Sequence, residues 1–249
     1  MAPEAAAEST PDGRPAPTPT EAAEELLVAY RTDADPEPYL SALAAFDDAA
    51  LAEVRTDRAT ALAFWCNLYN AGTQHLLATR SGLYESRWRS LRFFSVPAVT
   101  VAGHALSLDD IEHGILRRRS KYGLGYLPRL VPDTFELRYR LADLDPRVHF
   151  ALNCGAASCP AIRAYTPDAI DDQLDLATET YLDATVEYDP DADAVRVPRL
   201  FRWHPGDFGG RRGTREFLRE YDAIPADSSP KVTYLEWDWS RAGDAFAGR

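Results

Sequence analysis

Residues 56–80, TDRATALAFWCNLYNAGTQHLLATR, repeat apolar side chains at three- and four-residue spacing and are apolar on nearly every face. A helix of that kind cannot lie on a surface, so the segment predicts a central buried helix against which the remaining chain must pack. Asp57 stands where a cap would start it, and Ser81-Gly82 where it would stop. Asn67 and Asn70 interrupt the apolar pattern, with Gln74 on the same face and His75 five residues beyond Asn70. Asparagine is a poor helix former because its side chain competes for backbone hydrogen bonds. A buried amide left unsatisfied costs roughly 1–3 kcal/mol. The two asparagines therefore call for buried partners, either loop backbone or a substrate.

The flanking pattern sets the fold class. MAPEAAAESTPDGRPAPTPT, residues 1–20, has no apolar period and is expected to be a disordered tail, leaving 21–249 as a single globular domain. Glu21–Tyr30 and Pro38–Phe46 read as amphipathic helices. Val99–Ala102 and Ala105–Ser107 flank Gly103-His104 as a hairpin, and Ser107-x-x-Asp110 opens a helix over Leu108–Arg118. Arg147–Leu152 reads as a buried strand, and Thr166-Pro167 opens a helix to about Asp183. Thr185–Tyr188 and Ala194–Val197 suggest a second hairpin, Thr214–Tyr221 a short helix, and KVTYLEWDW a late strand. Helices first and hairpins interspersed predict an α+β fold, a mainly helical single domain with a small antiparallel sheet.

Charge excludes some partners. The formal net charge is -12, Lys121 and Lys231 are the only lysines, and Asp outnumbers Glu. Such an acidic, lysine-poor surface suits a halophilic cytoplasm, where molar salt screens self-repulsion. Nucleic acid is excluded as an expected partner because no basic stripe exists to neutralise phosphates, and Arg117–Arg119 is too short to supply one. No apolar run approaches the ~18 residues a span requires, so no membrane partner is expected. The start also lacks the basic and apolar regions of a secretory signal, and a cytoplasmic location is expected.

Chemistry concentrates in VHFALNCGAASCPAIRAY, residues 148–165, where Cys154 and Cys159 follow His149. A strand here would turn His149, Ala151 and Asn153 to one side and Phe150, Leu152 and Cys154 to the other. Gly155-Ala156-Ala157 permits a sharp turn, and Ser158 or Cys159 can cap a helical turn begun by Pro160. A thiol beside such a turn gains a lowered pKa and outward N–H groups. Cys154 as a buried small hydrophobe and Cys159 as packing is the alternative. Three cysteines in an intracellular chain make no disulfide scaffold, and the pair is too widely spaced for a zinc knuckle. A zinc site borrowing His149 or His113 is a lesser alternative; no metal or other cofactor is expected. Glu112 borders the buried stripe of SLDDIEHGILRR and needs a cation, a histidine or a capped backbone. Asp207, in the aromatic and glycine-rich FRWHPGDFGG, is a further candidate.

AFWCNLYNAGTQHLL, LSLDDIEHGILR, VHFALNCGAASCPAIRAYTP, LFRWHPGDFG and VTYLEWDW occur in the order seen in the family called domain of unknown function 547, which this chain resembles from about Ala61 to Trp239. Asn67, Tyr69, Asn70, His75, Glu112, Cys154, Gly155, Ser158 and Pro160 fall on the motif positions, whereas Cys66 replaces a usual aliphatic residue and reads as core. The polar set implied by the resemblance reduces to one Cys, one His and one Glu. It fits a cysteine-dependent acyl-transfer enzyme, a hydrolase or transferase of amide or thioester bonds, acting on a small-molecule or peptide-like substrate. Cys154 would be the nucleophile, His75 the base and Glu112 the carboxylate orienting it. Asn67 or Asn70, with N–H groups near Gly155 and Ser158, would hold the oxyanion, and His149 is the reserve base. The competing class is a non-catalytic ligand-binding or protein-interaction module whose polar residues form a buried network, its protein partner left open. A thiol redox protein is a further alternative.

Overall fold

The computed structural model describes residues 16–84, 92–242 and 246–247. The expected tail lies outside the described residues as far as residue 15, and its end is already helical: α1 spans Pro19–Thr32. Thr18 and Glu21 form a reciprocal capping box there, each side chain bonding the other's backbone N–H. Helices α2 (Glu37–Ala45) and α3 (Ala52–Thr56) lead into α4, Arg58–Thr79, the expected central helix. Asp57 caps it by accepting from the Thr60 N–H at 2.7 Å. Its buried run from Ala61 to Thr73 packs on α1 through Ala22, Ala23, Leu26 and Leu27. Trp65 meets Phe64, Phe135 and Tyr139 edge-on.

The first hairpin pairs β1 (Pro97–Val101) with β2 (His104–Ser107), with Val101 opposite His104. The two linking residues, Ala102 and Gly103, both have positive φ, 49° and 75°, as a tight two-residue hairpin turn requires. Residues 110–116 follow as a π-helix, where an α-helix was expected. Arg117 N–H reaches back five residues to the Glu112 carbonyl at 2.9 Å. Gly114 admits the Glu136 carboxyl group, whose carbon lies 2.4 Å from where a Cβ would stand. Glu136 belongs to α5 (Thr134–Tyr139) and pairs with Arg129.

The expected strand at Arg147–Leu152 is instead a helical turn, α6 (Val148–Ala151). Pro146 and the Asp145 side chain, which accepts from Arg147 N–H at 3.0 Å, start a turn, and no neighbouring strand among the described residues offers a ladder. A short apolar run does not distinguish these outcomes by periodicity. Helix α7 (Ile170–Thr185) leads to β3 (Glu187–Asp189) and β4 (Ala194–Val197), then α8 (Leu200–Trp203), α9 (Gly210–Glu220) and β5 (Lys231–Tyr234). Strands β3 and β4 form the expected antiparallel hairpin, but β4 and β5 pair in parallel, so this sheet is mixed. The fold is α+β, as expected, with helices dominating two small sheets.

Two apolar clusters result. The larger surrounds α4; the smaller gathers Phe150, Phe201, Phe208, Phe217 and Leu218, with Phe150 stacked on Phe217 at 5.5 Å. Val148 and Ala151 belong to the first and Phe150 to the second, so α6 is the seam, and His149 is held there.

Candidate metal centre

Along the seam lies a cavity of about 500 Å³, walled by the π-helix, residues 149–160, α8 and Trp237 and Trp239. Glu112, His149 and His204 line it and each offers one ligand atom, all within 4.8 Å of one another. No other group of three or more such residues clusters this way among the described residues. Three separate elements bring them together: the π-helix, the turn α6 and the residue closing α8. A π-helix gives successive side chains an offset that an α-helix lacks, and here both Glu112 and His113 reach the cavity.

A buried network supports these side chains. Asp207 Oδ2 accepts from Arg117 Nε at 2.6 Å and from His149 Nε2 at 2.8 Å. With Nε2–H committed to Asp207, the free lone pair of a neutral His149 is on Nδ1, which is how a carboxylate prepares a histidine for a metal. Arg117 is fully buried and its Nη1 donates to His113 Nδ1. That bond fixes the proton of a neutral His113 on Nε2, 3.5 Å from Asp109 Oδ1. Burial, reinforced by the Arg117 charge, pushes His113 down to about 3. Burial also holds His204 well below the ordinary histidine range, helped by the Arg117 charge, so its ring is neutral. The His204 ring stacks on His149 at 4.6 Å, 15° from parallel, and no described residue hydrogen-bonds to its nitrogens. Burial would raise the Asp207 carboxyl, but the hydrogen bond from His149 and the Arg117 charge hold it below the ordinary value. Glu112 Oε2 accepts from the Tyr69 hydroxyl at 3.3 Å.

Residues 123–125 cover this network. Gly125, at φ 75°, lies over Asp207, where a Cβ would come 2.5 Å from Oδ1. Gly206 N–H donates to the Leu124 carbonyl at 2.9 Å, and a Cβ on Gly206 would strike the Gly125 backbone. Asp207, a further candidate from the sequence, thus stands behind His149.

The expected thiol triad is not assembled. Cys154 and Glu112 line the cavity, but His75 does not: its Nδ1 bonds the Tyr30 hydroxyl, and burial lowers its pKa. Cys154 and Cys159 are joined in a disulfide on the cavity wall, where free thiols were expected. Asn67 and Asn70 are fully buried with both ends of each amide occupied. Asn67 takes the N–H and carbonyl of Tyr165; Asn70 takes the Asn153 N–H and the Ala151 carbonyl. The N–H of Gly155 is donated to Asn153 Oδ1 and that of Ser158 to the Asp238 carbonyl, so neither faces an oxyanion. Cys66 is buried core, its thiol pushed up by burial. His204 was visible within FRWHPGDFGG but was not singled out; its signal is a histidine three residues before Asp207.

Residues 54–182, about half of the chain, match the family described as "Protein of unknown function, DUF547". The match includes Glu112, His149 and the disulfide, while His204, Asp207, Trp203, Trp237 and Trp239 lie beyond it. No curated protein and no solved structure matches the chain. With half of its length matched, the chain belongs to the DUF547 family.

Proposed function

We propose that the cavity is the active site of a zinc-dependent hydrolase of acyl bonds, with Glu112, His149 and His204 as the protein ligands. The observation that carries this reading is the convergence of two imidazoles and one carboxylate within 4.8 Å at the wall of an open cavity. Two histidines and a glutamate with a remaining open position are a donor set of catalytic zinc. Neutral imidazoles are required of such ligands, and the partly buried, uncharged His204 meets the requirement. A bound zinc ion supplies hydroxide from water at neutral pH. Hydrolysis there would place that oxygen in the carboxylate product and return the remaining proton to the departing alcohol, thiol or amine. The reaction class is the one the cysteine reading suggested; the residues that run it differ. Asp207 and Arg117 hold His149 in one tautomer, and Tyr69 orients Glu112 through its hydroxyl.

Zinc titration of chelator-treated protein by calorimetry tests the proposal, with bound metal counted by mass spectrometry. Stoichiometric zinc is expected in the wild type and its loss in Glu112→Gln and His204→Ala, alongside loss of ester hydrolysis. Zinc bound equally well by both variants, or no zinc bound by folded wild type, would refute it.

A further inference from the structure

Chain 122–131 carries six large apolar side chains in the open. Tyr122 is 75% exposed, Leu124 54%, Leu130 74% and Val131 86%, with Tyr126 and Leu127 about half exposed. In a chain of net charge -12 this concentration is out of character, and exposed apolar patches mark binding surfaces. The segment is a folded arm. Arg119 bridges Pro128, Ser120 N–H donates to the Leu127 carbonyl at 2.8 Å, and Tyr126 N–H closes the tip on Gly123. The Gly125–Gly206 contact seats that tip on the metal-supporting loop.

The arm belongs to the cavity as well as to the surface. Tyr122 and Leu124 line the cavity while exposed. Trp203, Trp237 and Trp239 line the same cavity, with the Trp203 ring centroid 4.9 Å and 5.7 Å from the other two. Leu152 and Leu200 continue the apolar lining inward. One cavity therefore joins Glu112 and the histidines to the apolar side chains of the tryptophans and of the exposed arm, a path that Asp109 and Lys121 also line.

We infer that the substrate carries a long hydrocarbon chain: an acyl ester or thioester whose carbonyl meets the metal ligands and whose tail leaves along this path. The inference rests on the hydrolase reading for the bond broken, but not for the tail. A cavity of about 500 Å³ is within the range of small-molecule sites, and a longer chain extends onto the arm. Each methylene that enters the path leaves water and contributes ~0.8 kcal/mol, about fourfold in kcat/KM.

Two measurements test the inference. In the first, the zinc-loaded full chain hydrolyses p-nitrophenyl esters of two to twelve carbons, and kcat/KM is expected to climb about fourfold per methylene before levelling. Leu124→Asp should flatten the climb; aspartate accepts the positive φ of 56° at this position, so the backbone is preserved. In the second, monomeric decanoate is titrated into zinc-free protein, and saturable tryptophan quenching is expected that Leu124→Asp weakens at least tenfold. A rate independent of chain length in protein that binds zinc, or no quenching, overturns the inference. So does a wild-type dimer dissolved by Leu124→Asp with the chain-length dependence intact, because the arm would then be an interface between copies. Saturable quenching without zinc binding would sink the hydrolase reading and leave the tail site standing.

Discussion

Replacing Asn67 by alanine removes an amide that clips α4 to the chain nearly a hundred residues later. The Asn67 side chain donates to the Tyr165 carbonyl at 2.8 Å and accepts from the Tyr165 N–H at 2.9 Å, with the asparagine fully buried. In Asn67→Ala both groups of Tyr165 lose their partner where α4 and the larger core exclude water. Each costs about 1–3 kcal/mol, so the variant should lose about 2–6 kcal/mol. Against a typical total of about 5–15 kcal/mol, that is a large share. Urea denaturation followed by far-ultraviolet circular dichroism in molar KCl measures it, the midpoint falling while the slope stays fixed. Tyr165 does not line the cavity, so zinc affinity of the surviving folded protein should be unaltered. Asn70→Ala differs. It frees residues 151–153, between His149 and Cys154, and should lower stability and zinc affinity together. A loss below about 1 kcal/mol in Asn67→Ala would mean that water or backbone shift replaces the clip, and the argument from unsatisfied groups would fail.

Other outcomes are expected. Asp207→Asn leaves all three ligands in place but removes the charge behind His149, and should weaken zinc binding about 10–100-fold by calorimetry. The His75 pKa is lowered in the fold by burial and by Arg80, so the unfolded chain binds more protons. Stability should thus be full above pH ~6.5 and fall as pH drops through that value toward the lowered one, and His75→Gln should flatten this slope in thermal melts. The acidic surface should make the melting temperature rise by several degrees between low salt and molar KCl; a midpoint constant over that range would remove the high-salt reading.

Much of the frame was legible in the sequence, because α4 announces itself by local pattern. Its apolar faces, its Asp57 cap and its two buried asparagines all have consequences within one helix. Asn67 and Asn70 could be read as needing partners, but which partners was a long-range matter; the fold gave backbone at 151–153 and 165. The turn at 148–151 was misread because an apolar run carries no period when buried between two cores. Glu112 and His149 were singled out, but for other roles. Their joint meaning depends on His204, which the chain brings back only after α7 and two strands, and no spacing rule spans that distance.

The last described stretch closes the site from behind. Ala157 N–H bonds the Ser240 carbonyl, Ser158 bonds Asp238 in both directions, Ala242 N–H reaches Gly155, and Ala247 N–H reaches Ile162. The turn bearing Cys154 and Cys159 is thus bound by chain that a ribosome delivers after every helix and strand described here. During synthesis α1 to α4 can gather while the cavity still lacks one wall. Interrupted translation would release a chain with most of its core and a groove that lacks Trp237 and Trp239, a species fit for quality-control proteases. The cavity wall in this architecture is completed only after every helix and strand described here has been made.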